Sequence, residues 1–333
     1  MKPRVALVAA VAVLGACKLP VPFADDLLFT LERPQLPRAE DCKRCHGAIY
    51  REWTDSAHAG AWTRESFIAI TADHAATDCL PCHAPAPLGP SGEVRIRTDH
   101  LDEGVTCISC HLSPEPDARS LTMRGPHATT SPVEVHPVVT DPLFQKPDLC
   151  GRCHESVLEE WKASPEPSDG SQREICQDCH MPKVHRRMET YDPSRPYSAA
   201  LVALGDKIDG RRHVFAVPED PWEDLELVTE RTGGTLQVRI TNKLPHGVPT
   251  GAFGRREARL RVRWPDGEAL RLLRADLDQA IPAGESRLFE LTEVPPAVPL
   301  EVVLERFDPR DGRYVRLAPA PPDPSPSKPE PEP

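Results

Sequence analysis

The sequence lacks the features that would mark a membrane-spanning, nucleic-acid-binding or nucleotide-binding protein. Its apolar run at residues 5–16 is shorter than the about 20 residues that a helix needs to span a bilayer. A net charge of -11 leaves no basic excess for a nucleic-acid partner. No glycine-rich phosphate loop follows a strand pattern, and no Ser-His-Asp order is legible. These absences direct attention to cysteine and histidine.

Cysteine is missing from residues 191–318, whereas residues 41–190 hold ten of the eleven cysteines. This change in composition indicates a domain boundary, and a chain of 333 residues suits about two domains. We predict one domain at residues 41–215 and a second at residues 216–318. The proline-rich residues 319–333 are predicted to form a disordered tail.

The N-terminus is typical of an export signal. Lys2 and Arg4 precede the apolar run, which ends in the sequence LGAC at Cys17 and looks like a bacterial lipobox. We predict a signal peptide at residues 1–16, lipidation of Cys17, a tether at residues 17–40 and a periplasm-facing anchor in the outer membrane. Ordinary cleavage near Ala16, leaving an unused thiol, is the alternative.

The sequence Cys-x-x-Cys-His occurs five times, whereas composition alone predicts about 0.014 copies. This spacing is the attachment signature of c-type haem, because two such thiols reach the two vinyl groups of one porphyrin and the next imidazole binds the iron. Zinc would favour paired Cys-x-x-Cys units, and disulfides would leave the histidines unexplained. The motifs, numbered 1 to 5, are Cys42-Cys45-His46, Cys79-Cys82-His83, Cys107-Cys110-His111, Cys150-Cys153-His154 and Cys176-Cys179-His180.

Motifs 1 and 4 have similar surroundings. Each is followed by Trp at the seventh position and Ser at the tenth, and the twelfth position is His58 in one copy and Glu166 in the other. Motifs 2 and 5 are both followed by x-Pro, so we predict that a two-motif unit is duplicated and that motif 3 is inserted between the copies. Both segments after the copies suit short helices.

At this point the sequence resembles a known family. The segment from Cys42 to His58 reads CxxCH-x3-Tyr-x2-Trp-x2-Ser-x-His, and motifs 3 and 5 extend to Gly-Val-x-CxxCH and CxxCH-Met-Pro. Over about residues 41–215 these patterns resemble the multihaem cytochromes related to the tetrahaem cytochrome c that accepts electrons from hydroxylamine oxidoreductase. The resemblance implies short α-helices and loops wrapped around haems, with His58 as a distal ligand of a neighbouring haem. Glu166 and the fifth motif depart from the family, which leaves one sixth ligand unassigned.

Eight histidines remain beyond the five proximal ones, enough for bis-histidine ligation of every iron. Methionine occurs four times, which favours low-potential bis-histidine haems. The resemblance implies distal roles for histidines in the stretch before motif 4 and in the segment RRHVF. The histidine of NKLPHGVPTG either reaches back to an iron or is a solvent-facing turn residue. The candidate distal ligands are therefore His58, His127, His136, His213 and His246, whereas His74, His100 and His185 are expected at the surface.

From about residue 222 the apolar period changes to two. Alternating segments, the Gly233-Gly234 turn and the Pro265-Asp266-Gly267 turn predict seven short strands. We expect an all-β, immunoglobulin-like antiparallel sandwich that covers haems, spaces them from the membrane or contacts a partner. Arg259, Arg261 and Arg263 are expected on a solvated sheet face.

Three functions are compatible with these patterns. The first is a non-enzymatic periplasmic carrier that moves electrons through five covalent haems between redox-partner proteins, with a basic partner face matching its acidic surface. The second is a haem enzyme with one open iron that acts on hydroxylamine, nitrite or nitric oxide. The third is a subunit of a larger surface complex that uses the β-domain for assembly.

Overall fold

The computed structural model describes residues 36–89, 92–113, 121–128, 136–167, 170–190, 202, 205–215, 223–251, 256–308 and 312–318. The predicted signal peptide, Cys17 and the proline-rich tail lie outside the described residues, as does most of the tether. Within the described part, no helix is long and apolar enough to cross a membrane.

Short helices form most of the regular structure before residue 181. The Cys-x-x-Cys-His spacing places both thiols and the imidazole on one face of a helical turn, because residues three and four apart are neighbours on a helix. The α-helices of the described residues are α1 (Ala39–Thr54), α2 (Glu65–Ile70), α3 (Leu80–His83), α4 (Cys107–His111), α5 (Asp148–Gly151), α6 (Glu155–Ala163) and α7 (Cys176–His180).

Helices α4 and α7 consist of motifs 3 and 5 and begin in the same way. In each, the third helical side chain accepts a hydrogen bond from the backbone N–H of the preceding cap residue. Ser109 Oγ accepts from Thr106 at 3.3 Å, and Asp178 Oδ2 accepts from Ile175 at 3.0 Å. This capping satisfies an N–H group at the start of each helix.

Two small sheets support the segments between and after the motifs. Strands β1 (Met123–Gly125) and β2 (Val138–Thr140) pair in parallel, and β3 (Lys183–Arg186) pairs antiparallel with β4 (Ile208–Arg211). Strand β2 begins two residues after His136, and β4 ends two residues before His213. Both sheets therefore fix histidine-bearing segments against the helices.

The C-terminal part is a sandwich of two antiparallel sheets that share one apolar core. Alternating positions such as Leu236, Val238 and Ile240 are fully buried, as the period of two predicts. One sheet has the order β5-β6-β9 and the other β11-β10-β7-β8. The strands are β5 (Leu225–Thr232), β6 (Thr235–Asn242), β7 (Glu257–Trp264), β8 (Gly267–Arg274), β9 (Ser286–Leu291), β10 (Glu301–Asp308) and β11 (Arg313–Arg316).

The arginine-bearing face of β7 is not solvated along its whole length, so that prediction is wrong in part. Arg259 and Arg261 both form ion pairs with Glu305, which is 6% exposed, at 2.8 and 2.7 Å. The guanidinium of Arg259 also lies 3.6 Å from the ring centroid of Tyr314. Arg263 is half-exposed, whereas the cross-strand carboxylate of Glu305 neutralises the other two arginines.

Candidate functional site: five motifs around one cavity

One continuous cavity of about 2830 Å³ is lined by all ten cysteines and all five histidines of the motifs. Its volume is several times the roughly 300–1,000 Å³ of a single-ligand pocket. None of these cysteines forms a disulfide. Within the described residues, no three His, Cys, Asp or Glu side chains converge on a possible metal ion, so the geometry gives no support to zinc. The cavity is large enough, and lined by the right groups, for several large covalent cofactors.

Four of the five proximal histidines face a second imidazole. An imidazole–metal bond is about 2.0 Å long, so two rings bound to opposite sides of one metal ion have centroids about 6 Å apart. Rings in direct contact come closer, as Trp62 and His74 do at 4.1 Å. The facing pairs and their centroid separations are His46–His136 at 6.4 Å, His58–His154 at 6.3 Å, His111–His213 at 6.0 Å and His180–His246 at 6.4 Å.

Backbone carbonyls orient several of these rings. The Nδ1 atoms of His46 and His111 lie 3.1 and 2.8 Å from the carbonyl oxygens of Met188 and Arg124. A ring that donates from Nδ1 presents Nε2 to a metal. His213 Nδ1 makes the same contact with the Arg211 carbonyl at 3.1 Å, and His246 Nδ1 with that of Gly247 at 3.1 Å. Proximal and facing imidazoles alike are thus oriented by a contact at Nδ1, the ring nitrogen that would not bind the metal.

Burial also lowers the pKa of several of these imidazoles. It lowers the pKa of His58 to about 3 and the pKa of His154 to about 4. It likewise lowers the pKa of His213 to about 4 and the pKa of His246 below its ordinary value. The neutral form is the one that binds a metal, so these four rings are in the ligating state at pH 7.

His83 of motif 2 differs from the other four. All 13 histidines lie within the described residues. Among the ring contacts of this part of the chain, His83 is not paired with a second imidazole at the separation of the other four pairs. Instead, the Phe67 ring stacks on His83 with centroids 3.7 Å apart. The His83 Nδ1 atom lies 2.7 Å from the Ala61 carbonyl oxygen, the same orienting contact as in motifs 1 and 3. Motif 2 therefore has a proximal histidine without a facing imidazole.

The remaining histidines lie away from the proximal rings. His127 lines the cavity but is exposed, and it faces no proximal histidine. His74 stacks on Trp62, and its Nε2 atom lies 3.1 Å from the Trp62 carbonyl oxygen. The side chain of His185 is 62% exposed and contacts Asp209, while His100 is partly exposed at the start of a 3-10 turn. Of the five candidate distal ligands, the structure thus sets four opposite a proximal ring and leaves His127 apart.

Glu166 does not explain the unmatched motif. Its side chain is 79% exposed and forms an ion pair with Arg173. The second copy of the repeat simply ends at the surface here, and the proximal histidine without a counterpart belongs to motif 2.

Contacts between thiols show which motifs adjoin. The Cys42 thiol of motif 1 lies beside the Cys107 thiol of motif 3, and the Cys150 thiol of motif 4 lies beside the Cys176 thiol of motif 5. In both cases the first cysteine of one motif meets the first cysteine of the other. Motif 2 contacts motif 4 through the thiols of Cys82 and Cys153.

The two tryptophans of the repeat support the same pairing. Trp53 Nε1 donates to the carbonyl of Val105 at 2.8 Å, and Trp161 Nε1 donates to the carbonyl of Glu174 at 2.9 Å. Each acceptor lies two residues before the first cysteine of motif 3 or motif 5. The structural repeat therefore has one copy made of motifs 1 and 3 and a second copy made of motifs 4 and 5. The prediction that motif 3 is the inserted one is wrong, because it relied on the local x-Pro sequence rather than on these contacts.

Comparison with known proteins agrees with this geometry. Residues 41–112 match the model of the family described as cytochrome c554 and c-prime. The fold is similar to the crystal structure of a penta-heme cytochrome c552 from Thermochromatium tepidum, with a TM-score of 0.53 and 19% sequence identity over 85% of this chain and 97% of that chain. These findings support a multihaem c-type cytochrome.

Other comparisons add little to this conclusion. A match to a superoxide reductase in the oxidized state covers 29% of this chain and 93% of that chain, with 11% identity and a TM-score of 0.18, which is too low to carry an argument. No curated protein matches. The closer relationship to the tetrahaem acceptor of hydroxylamine oxidoreductase stays a prediction.

The residues present fit c-type haem. Each motif would hold the group through its two cysteine sulfurs and its histidine, and haem iron supplies reversible one-electron transfer. The paired imidazoles would complete the coordination of the iron. Sequence reasoning missed Glu52 and Glu160, which contact the segments that carry His213 and His246. A signal for them existed, because both copies of the repeat contain Glu-Trp at the same position.

Proposed function

We propose that the protein is an exported electron carrier that holds five c-type haems, one at each motif. The main observation in favour of this proposal is the set of four imidazole pairs, whose ring centroids lie 6.0 to 6.4 Å apart. These pairs surround a cavity that all ten motif cysteines line. The irons at motifs 1, 3, 4 and 5 are six-coordinate, with His136, His213, His58 and His246 as distal ligands. Bis-histidine ligation without methionine gives low reduction potentials.

The thiol contacts suggest the order in which electrons move. Motif 1 adjoins motif 3, and motif 4 adjoins both motif 5 and motif 2. Motif 3 reaches motif 4 through Cys110, which interacts electrostatically with Cys150 and Cys153. We infer a path from motif 1 through motifs 3 and 4 to motif 5, with motif 2 as a branch at motif 4.

The sequence patterns support the location and the partners that we propose. A lipid on Cys17 and the tether that follows hold the protein at the periplasmic face of the outer membrane. The haem domain comprises residues 41–215, and the sandwich of residues 216–318 has an immunoglobulin-like outline. With a net charge of -11, the protein favours donors and acceptors that present a basic face.

Electron paramagnetic resonance on the oxidised holoprotein, integrated by spin state, tests this function. Mass spectrometry of the same sample gives the number of haems. We expect five haems, of which four are low-spin and one is high-spin. Fewer than four low-spin irons would contradict the ligand scheme.

A haem enzyme is the second candidate, and His83 is the observation that favours it. The proximal ring is oriented by the Ala61 carbonyl and packed by Phe67, yet it faces no second imidazole within the described residues. Arg64 and Arg256 lie near enough to affect His83 electrostatically. An open iron here would accept a small nitrogen compound such as hydroxylamine, nitrite or nitric oxide.

Steady-state assays separate the two functions. An electron carrier exchanges electrons with artificial donors but does not turn over hydroxylamine or nitrite, and cyanide leaves its electron exchange through motifs 1, 3, 4 and 5 intact. Turnover that cyanide abolishes, and that a His83→Met variant loses, would establish the enzyme instead.

A further inference from the structure

Helices α1 and α6 each carry a Glu-Trp pair at the same distance from their proximal histidine. Glu52 and Trp53 follow His46 in α1, and Glu160 and Trp161 follow His154 in α6. The tryptophans anchor the backbone just before motifs 3 and 5, as described above. The glutamates instead contact the segments that carry His213 and His246, the histidines that face motifs 3 and 5.

Glu52 binds the segment that carries His213. Its Oε2 accepts the backbone N–H of His213 at 3.0 Å. Arg186 donates to both carboxylate oxygens at 2.7 and 2.9 Å, and Arg212 donates to Oε1 at 3.1 Å. The carboxylate is thus held by two arginines while it fixes the backbone of the imidazole that faces motif 3.

Glu160 does the same for the segment that carries His246. Its Oε2 accepts the backbone N–H of Gly247 at 2.8 Å and the hydroxyl of Thr250 at 2.6 Å, and its Oε1 accepts the N–H of Gly251 at 3.3 Å. This segment leaves strand β6 of the sandwich and returns the chain to motif 5. The side chain therefore joins a helix of the motif-bearing region to a loop of the sandwich.

We propose that Glu52 and Glu160 are equivalent positioning residues, each of which holds the chain segment that presents the distal histidine to a haem iron. Glu52 positions His213 at motif 3, and Glu160 positions His246 at motif 5. The proposal rests on the ligand scheme given under the proposed function. Each Glu-Trp pair then serves one haem from both sides: the indole fixes the approach to the attachment motif, and the carboxylate fixes the distal ligand.

The reason for such a device is that the distal histidines come from remote parts of the chain. A loop that is free to move would bind the iron only part of the time. A carboxylate that accepts several donors restricts the loop before the imidazole binds, much as second partners of metal-bound histidines do elsewhere. Losing such a partner typically weakens metal binding by about 10–100-fold.

The test uses the purified five-haem protein and its Glu160→Ala variant. Glu159→Ala is the matched control, because Glu159 is on the same helix but is 63% exposed and pairs with Lys162 within one turn. The control for Glu52→Ala is Glu40→Ala, whose carboxylate pairs with Lys43 in the same way on α1. We measure the high-spin fraction by electron paramagnetic resonance, together with the affinity for cyanide, which must displace the distal imidazole.

We expect Glu160→Ala to raise the cyanide affinity of one further haem by about 10–100-fold, with a matching gain in high-spin iron. Added imidazole should restore the low-spin signal. Glu159→Ala should match the parent protein. If Glu160→Ala lowers the haem content, Glu160→Gln keeps the side-chain volume and should still raise cyanide affinity.

A His246→Ala variant separates the positioning role of Glu160 from the assignment of His246 as a distal ligand. If it gains one high-spin haem while Glu160→Ala and Glu160→Gln both match the parent, the positioning role is refuted and the ligand scheme stands. If His246→Ala itself leaves the spin state unchanged, His246 is not a ligand and the proposed scheme fails first.

Discussion

The two parts of the described chain build their interiors from different material. In the sandwich, nineteen buried apolar residues form one cluster, from Leu225 to Ala318. The longer motif-bearing part has nine buried apolar residues and no comparable cluster, and its centre is the cavity of about 2830 Å³. A chain segment that buries so little of its own apolar surface needs another source of burial to offset the loss of conformational entropy. Haems bound at the motifs, as we propose, would supply that source.

We expect the largest difference between the two parts when the full chain is produced without haem. We expect the motif-bearing part to lose its helices, because its cavity would collapse, whereas the sandwich keeps its strands. Circular dichroism should show the β signal with little helical signal, and heating should give one transition. Retention of the full helical signal would contradict the difference between the two interiors.

A smaller effect is expected from a cavity in the sandwich core. Leu260 is fully buried in β7, so Leu260→Ala should lower the free energy of unfolding of the sandwich by about 2–5 kcal/mol. Leu272→Ala is the control, since Leu272 is 47% exposed on the adjacent strand and its loss should matter by about 0.5 kcal/mol or less. Urea unfolding followed by circular dichroism measures both. Equal effects of the two variants would mean that the core of the sandwich is elsewhere.

The third prediction concerns acid. Burial alone would raise the pKa of Glu52, but Arg186, the His213 backbone N–H and Arg212 outweigh it and lower the pKa from 4.5 to about 2. A carboxyl whose folded-state pKa is depressed stabilises the fold above its unfolded value and loses that contribution as pH falls through the folded value. The motif-bearing part should therefore lose stability between pH 4.5 and about 2.

Glu52→Gln should remove most of this dependence on pH, and Glu40→Gln, at an exposed site on the same helix, should leave it in place. Acid titration of the haem absorption, compared with the β signal of the sandwich, reports the two parts separately. An unchanged acid profile in Glu52→Gln would show that another carboxyl controls this window.

The smallest effect is expected at Glu166. The side chain is 79% exposed, so Glu166→Ala should change stability by no more than about 0.5 kcal/mol. The spin state of every haem should match that of the parent. A new high-spin signal in this variant would place Glu166 near an iron and revive the view that the second copy of the repeat lacks a ligand there.

Much of the sandwich could be predicted from local patterns. The Gly233-Gly234 and Pro265-Asp266 turns connect β5 to β6 and β7 to β8 with two residues each, as their composition favours. Local sequence predicts the wrong pairing of the motifs, because x-Pro follows both motif 2 and motif 5. The contacts that decide the pairing of motifs are made by Trp53 and Trp161 with residues from other segments. Such contacts leave no periodic signal.

The sequence by itself determined the attachment half of each site, because two thiols and one imidazole within five residues are fixed by covalent spacing and helical geometry. Only the tertiary structure decided the other half. Each facing pair, such as His46 with His136 or His180 with His246, joins residues more than sixty positions apart. No local rule relates such residues, since their approach depends on how separate helices, strands and loops pack around the same cavity.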